Sequence, residues 1–343
     1  MNTPTSKNIL VIQTAFIGDT ILASQFAYQL SQEFPGARIH FFLRKGNESV
    51  IMNLPFITKT WIWDKKGGKT RNLIRLIQQL RETEFDLVFN LHRHFNSGLV
   101  SACVRGVEKI GFKENPLSFF YHQKLKHQIP HISAQGNVWH EVQRNLGLLK
   151  LAKPEFTISE NAKDYRPHLP VGDKNLEKVS VYKGQDYFVV APASVWFTKA
   201  WSEHKFRSLV MKLSEMGKVY LIGGPDDGAL CDRIKEGVAN TQNLCGKLSL
   251  LDSAALMIDA RRVFVNDSGP LHLASCVNAK TTAIFCSTVQ EFGYTPLAQD
   301  SVVIDMGKMQ CRPCGLHGHS ACPLGHYKCS EDIEVSRVLA TIN

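Results

Sequence analysis

The sequence predicts a parallel α/β protein made of two Rossmann-like domains facing one another across a cleft. Three observations carry this. Short apolar runs alternate with helical patterns through most of the chain, which places helices on both faces of parallel sheets. The alternation occurs twice, on either side of residues 152–185, where periodicity fades and Pro, Lys, Asp and Asn accumulate. The 343 residues exceed one ordinary core and suit about two domains of roughly 150 residues each.

In the first half, residues 9–13, 38–42, 59–62, 86–90 and 109–112 read as strands, with helical stretches such as 19–33 and 72–83 between them. A helical pattern over 140–151 closes this half. In the second half the strands are 187–191, 218–222, 263–266, 281–285 and 302–305, and the helices 203–216, 226–236, 250–260 and 270–277. Residues 152–185 read as the linker, with the domains divided as 1–165 and 166–343. Open α/β sheets bind ligands beyond the carboxyl ends of their strands, so the cleft is the expected active site.

A composition of 44% hydrophobic and 21% charged residues is that of a globular protein. The first eight residues are polar and lead into a short apolar run, unlike a secretory signal. No segment approaches the ~18 apolar residues of a membrane span. The expectation is a soluble cytoplasmic protein. The net charge of +9 reads either as solubility or as attraction to an anion: nucleotide, phosphorylated lipid or nucleic acid. Of the nine cysteines, Cys103, Cys231, Cys245, Cys276 and Cys286 stand singly and read as small core residues.

Four motifs carry chemistry, each at a strand-to-helix junction. Gly18-Asp19 follows the first strand, where Asp19 reads as a helix cap or as a general base. The fingerprint Gly-x-Gly-x-x-Gly is absent there, which speaks against a dehydrogenase. The turn Ala191-Pro192-Ala193-Ser194 exposes N–H groups and a hydroxyl to an anion, and Lys199 adds a point charge or is a solvated loop lysine. In Asn266-Asp267-Ser268-Gly269-Pro270-Leu271-His272, Ser268 and Gly269 offer free N–H groups at a helix start, a phosphate seat or an ordinary cap. His272 reads equally as a packed, hydrogen-bonded histidine. Gly223-Gly224-Pro225-Asp226-Asp227 permits close ligand approach, with Asp227 as a ribose-binding carboxylate or a helix cap.

In this order and spacing, the motifs resemble the heptosyltransferases, which transfer heptose from ADP-heptose to the lipopolysaccharide inner core. The resemblance covers nearly the whole chain, including Lys199-x-Trp201, the segment from His140-Glu141-Val142 to Arg144-Asn145-Leu146, and the cysteine-rich tail. It implies a GT-B fold, with the acceptor, lipid A–Kdo at the inner face of the inner membrane, bound mainly by the first domain and the donor by the second. It also implies inversion at the anomeric carbon with no metal needed for chemistry, Asp19 as base, and Lys199 with the Asp267 loop on the donor. Ser194, Asp227, Asp267, Ser268, Gly269 and His272 are the donor-side candidates. Pro270 departs from the bulky apolar residue usual at its position, and His92-Arg93-His94 is also less typical. Basic residues for the anionic acceptor are Arg44, Arg93 and Lys113, with Lys45, Arg105 and Lys109 beside them; each reads otherwise as a solvated charge.

Two rivals remain. One is a GT-B transferase using another nucleotide-sugar. The other is a basic nucleic-acid-binding protein with a zinc module, against which stand two complete α/β halves and paired phosphate turns, so no nucleic-acid partner is expected. The zinc question rests on Cys311, Cys314, Cys322 and Cys329, with His317, His319 and His326 near them. In a reducing compartment, clustered cysteines suggest a structural zinc, packed thiols being the alternative.

Overall fold

The computed structural model describes residues 6–342. The polar residues 1–5, read above as lacking a targeting signal, lie outside the described residues. The chain forms two compact units, Met1–Pro170 and Val171–Asn343.

The first unit runs β1 (Asn8–Gln13), α1 (Ile17–Glu33), β2 (Arg38–Arg44), β3 (Lys59–Trp63), α2 (Lys69–Leu80), β4 (Phe85–Asn90), α3 (Phe95–Cys103), β5 (Gly106–Phe112), β6 (Gln123–Leu125) and α4 (Glu141–Ala152). Its strands pair in parallel in the order β3-β2-β1-β4-β5-β6. The central strands are apolar on both faces: Ile9 to Ile12 and Phe41 to Leu43 are fully buried, because helices cover both sides. The register sets Gln13 opposite Leu43 and Ile12 opposite Asn90, so the loops after β1, β2 and β4 leave the sheet at one level.

The second unit runs α5 (Asp173–Val179), β7 (Tyr187–Ala191), α6 (Glu203–Ser214), β8 (Lys218–Leu221), α7 (Gly228–Lys235), β9 (Thr241–Asn243), α8 (Leu250–Met257), β10 (Arg262–Asn266), α9 (Gly269–Cys276), β11 (Thr281–Phe285), β12 (Ser301–Asp305), α10 (Lys328–Glu331) and α11 (Val335–Leu339). Its sheet is again parallel, ordered β12-β11-β10-β7-β8-β9. Val265 faces Ala191, Val190 faces Leu221 and Asn266 faces Ile284, which levels the loops after β7, β8, β10 and β11.

β6, β9 and α5 are among the elements that escape the sequence reading, for physical reasons. β6 and β9 are three-residue edge strands of largely polar composition, Gln-Lys-Leu and Thr-Gln-Asn. An edge strand has one side open to water and shows no apolar run. α5 lies inside the expected linker and buries only Val179 among its residues. It is fixed by polar ties instead: Asn175 and Lys178 donate to Asp252 of α8 at 2.8 and 2.6 Å. Burial would raise the Asp252 carboxyl, but these donors and Ser249 hold it at about 2.

A buried ion network anchors α4. His140 is the N-cap, its ring accepting from the Val142 N–H while Gln143 accepts from the His140 N–H. Glu141 and Arg144, both buried, meet at 2.7 Å, and His127 Nε2 lies 3.1 Å from both Glu141 oxygens. Burial alone would raise the Glu141 carboxyl; the Arg144 charge and the His127 contact hold it well below the usual carboxylate range. Glu141→Ala strands the Arg144 guanidinium and is expected to cost about 3–5 kcal/mol. Because the folded-state pKa is depressed, this contribution is present above the unfolded carboxylate range and lost as pH falls toward the folded value. Urea unfolding at pH 7 and below the usual carboxylate range, at about pH 3, checks both; a loss under about 1 kcal/mol at pH 7 removes the network from the stability account.

Among the described residues, no helix is long and apolar enough to cross a membrane.

Candidate active site

In each sheet the chain starts at an inner strand, builds to one side, then returns to build the other. The reversal falls between β1 and β4 in the first unit and between β7 and β10 in the second. At such a point neighbouring loops diverge and leave a crevice at the carboxyl edge. Three of the four sequence motifs fall at these two places, after β1, β7 and β10, and the fourth follows β8.

In the first unit, Asp19 stands half-buried in the first turn of α1. The N-cap of that helix is Phe16, without a side-chain cap bond, so Asp19 is not the N-cap residue. Its loop is braced from three sides. Buried Asn47 donates to Ala15 O at 3.1 Å and to Thr20 Oγ1 at 2.8 Å. Lys65 Nζ donates to Thr14 O at 2.8 Å, and Thr14 Oγ1 lies 2.9 Å from His92 Nδ1.

Around this loop cations gather. Burial, then the charges of Arg44 and Lys69, lowers the Lys65 amine to about 8. Burial, then His94, Lys65 and Arg93, lowers the His92 ring to about 3, so it is neutral at pH 7. The Arg44 guanidinium lies over the Phe16 ring at 5.5 Å. Arg93 is half-buried in the loop after β4, and Lys113 is exposed in the loop after β5. Lys45 pairs with Asp64 at 2.8 Å on the surface.

Two of the basic candidates are misplaced. Arg105 enters β5 at its amino end, the opposite edge of a parallel sheet from Asp19. Lys109 lies within β5 and donates to Ala102 O, at 2.8 Å. Lys65, which the sequence reading passed over, is the better-placed cation; its signal was the basic run Lys65-Lys66 after the third strand.

In the second unit, Lys199 Nζ meets Asp267 Oδ2 at 2.7 Å, and Thr288 Oγ1 donates to the same oxygen at 2.7 Å. Asn266, fully buried, ties the two motif loops together: its Oδ1 accepts from Trp201 N at 2.9 Å and its Nδ2 donates to Pro192 O at 2.7 Å. Ser268 is the N-cap of α9, with Gly269 and Pro270 opening the helix and no side-chain cap bond. The amide end of α9 thus stands beside the Lys199–Asp267 pair. His272 is buried in α9, where burial lowers it to about 4; Asp267 opposes this shift and Lys199 adds to it. Its Nδ1 has no protein partner. Ser194 is half-buried in the loop after β7. Asp227 accepts from the Gly224 N–H at 2.7 Å, so one of its oxygens shapes its own loop.

The cysteine-rich tail reaches this site by an unforeseen route. The buried Arg312 guanidinium donates to Thr288 O at 2.9 Å, Gly307 O at 2.8 Å and Phe285 O at 3.3 Å. It therefore fixes the loop that carries Thr288. His319 N donates to Thr198 Oγ1 at 2.8 Å, and Cys314 N to Ser287 O at 2.9 Å. Gly318, at φ +77°, packs so closely that a Cβ would lie 2.9 Å from Thr198 Oγ1 and 3.0 Å from Lys199 Cγ. Ser287, buried, leaves its Oγ without a protein partner in this same corner.

The structure lends the zinc expectation no support. Among the described residues, no group of three or more His, Cys, Asp or Glu side chains is placed to hold a metal ion. Cys329 is buried in the core of the second unit with Cys322 packed against that core, and the Cys314 thiol donates to Cys311 O at 3.3 Å. Burial, then the neighbouring sulfurs, push the Cys329 thiol up to about 11. Protein purified under reducing conditions is expected to carry less than about a tenth of an equivalent of zinc. One equivalent by elemental analysis, lost with Cys311→Ser, would restore the metal site.

Comparison with known proteins places this geometry. The model of glycosyltransferase family 9 (heptosyltransferase) matches residues 73–327. Lipooligosaccharide heptosyltransferase 2 of Campylobacter jejuni is 24% identical over 338 residues, 96% of each chain. The solved structure of the Escherichia coli ADP-heptose lps heptosyltransferase II superposes with a TM-score of 0.77 at 19% identity, covering 98% of this chain and 97% of that one. An Escherichia coli heptosyltransferase solved with ADP-2-deoxy-2-fluoro heptose gives 0.71 at 18% identity over 98% of each chain. The two parallel, doubly wound units are those of the GT-B class. With three quarters of its length matched by one family model, the chain belongs to glycosyltransferase family 9, the heptosyltransferases.

Proposed function

We propose that this protein transfers heptose from ADP-heptose to the inner core of lipopolysaccharide, with inversion at the anomeric carbon. The observation that carries the reading is the Lys199–Asp267 pair, 2.7 Å apart at the strand-order reversal of the second unit and beside the amide end of α9. A lysine and free helix N–H groups suit a diphosphate. Ser194, Ser268, Gly269 and His272 complete the donor side, with Asp227 toward the ribose.

In this mechanism Asp19 takes the proton of an acceptor hydroxyl. The oxygen attacks the anomeric carbon as the bond to the diphosphate oxygen breaks. The departing charge falls on ADP, where Lys199 and the α9 amides stabilise it. These groups meet that charge without a cofactor. Arg44, Lys65, Arg93 and Lys113 would face the phosphate and Kdo carboxylate groups of lipid A–Kdo, and the protein would work peripherally at the inner face of the inner membrane.

The test is direct. The protein is incubated with ADP-heptose and a series of truncated lipopolysaccharides, and products are weighed and their anomeric linkage read by NMR. A gain of one heptose with inverted configuration is expected. Consumption of another nucleotide-sugar in place of ADP-heptose would move the reading to a different donor, and retention of configuration would remove Asp19 as a simple base.

A further inference from the structure

Two cysteines outside the site face one another across separate elements of the second unit. Cys231, on α7, is fully buried; Cys245, two residues beyond β9, is half-buried. Their sulfurs lie 3.2 Å apart, in hydrogen-bond contact. The surrounding backbone holds them there. Asn243 Nδ2 donates to Gly228 O at 3.0 Å and to Asp232 Oδ1 at 2.9 Å, and Asn243 Oδ1 accepts from Cys245 N at 2.9 Å. One asparagine thus clamps α7 to the segment carrying Cys245. That segment also touches the Gly223–Asp227 loop, since Gly246 N donates to Gly223 O at 3.1 Å.

We propose that Cys231 and Cys245 are an oxidisable dithiol, a modification site that takes hydrogen peroxide and closes to a disulfide. The geometry supplies both halves of the chemistry. Cys245 is the less buried of the two, and the contact with the Cys231 sulfur lowers its thiol below the ordinary value, while the same contact and burial raise Cys231. The Cys245 thiolate attacks one peroxide oxygen and the O–O bond breaks. The departing hydroxide takes up a proton and leaves as water, and Cys245 becomes a sulfenic acid. The Cys231 sulfur then attacks the Cys245 sulfur. The S–O bond breaks, and the Cys231 proton leaves with the hydroxyl as a second water. Two thiols lose two electrons and peroxide gains them. The sulfurs need to close from 3.2 Å to about 2 Å, a shift within reach of two already packed elements. In a reducing compartment such a bond is transient, as redox-responsive disulfides are.

The bond would fix the Gly223–Asp227 loop. On the donor reading above, that would raise the donor KM more than it lowers kcat. The decisive experiment does not depend on that reading. The full-length wild-type protein is treated with hydrogen peroxide, its remaining thiols are alkylated, and its peptides are weighed. The expected product links the peptides of Cys231 and Cys245, two hydrogens lighter than their sum and reversed by dithiothreitol. In Cys231→Ser, Cys245 is expected to accumulate as a dimedone-reactive sulfenic acid that wild type does not retain. Over-oxidation of Cys245 to sulfinic acid in wild type without the link overturns the proposal. So does full alkylation of both residues while Cys311 or Cys314 oxidises. A link that forms with donor kinetics unchanged would keep the modification site and discard its effect on the loop.

Discussion

Asp19→Asn is expected to lower turnover by about 10²–10⁴, the range for loss of a positioned proton acceptor. The substitution keeps the size and polarity of the side chain in the first turn of α1 and removes its basicity. Helix start and loop should survive, because Asn47, Lys65 and His92 also hold the loop. Donor affinity should stay near wild type, since Asp19 belongs to the first unit and the donor candidates to the second. Steady-state kinetics with ADP-heptose, alongside thermal unfolding, give the answer. A folded Asp19→Asn protein with near-normal kcat would force another residue into the role; His92 is a poor replacement, being held neutral but tied to Thr14.

Lys199→Ala is expected to cost about 10²–10³ in kcat, the effect of removing one preorganised donor from a developing oxyanion. It should also weaken ADP binding in a calorimetric titration. Loss of the amine leaves Asp267, largely buried, with Thr288 and uncompensated charge. An anion in that place repels the diphosphate as well as failing to attract it. The pair can be dissected with Asp267→Asn, which frees Lys199 from its partner. If Lys199→Ala binds ADP normally and turns over normally, the pair is structural. Lys199→Arg is not a safe substitute, because a planar fork beside Gly318 cannot take the path of a single amine.

The parts of the site legible in the sequence were those where local chemistry and local structure coincide. Asp19, Lys199 and Asp267 follow strands and precede helices, and the residue types suit what such junctions do. The supporting residues were illegible because their meaning is set by strand order. Thr288 matters only because β11 lies next to β10, and Arg312 only because it reaches back to the carbonyls of that loop. Cys311-Arg312-Pro313-Cys314 drew attention to its sulfurs, whereas its arginine does the structural work. Lys65 and Arg105 look alike as isolated cations. Only the parallel register puts one at the carboxyl edge and the other at the amino edge. In the fold, central strands announced themselves by apolar runs, while β6, β9 and α5 rest on pairing and polar ties that no single segment encodes.

If the proposed donor site holds, the contact between Lys199 and Asp267 bears on how the protein would let go of its product. An arriving anion meets a lysine whose charge is already answered from within the chain, so it has to compete with a resident carboxylate. A diphosphate, with more charge and more oxygens, competes better than a single phosphate. On the proposed donor reading, Asp267 would reclaim the lysine as ADP departs, and no naked cation would be left behind. On that reading the internal rival would weaken holding at both ends of the cycle, giving up grip for speed of release.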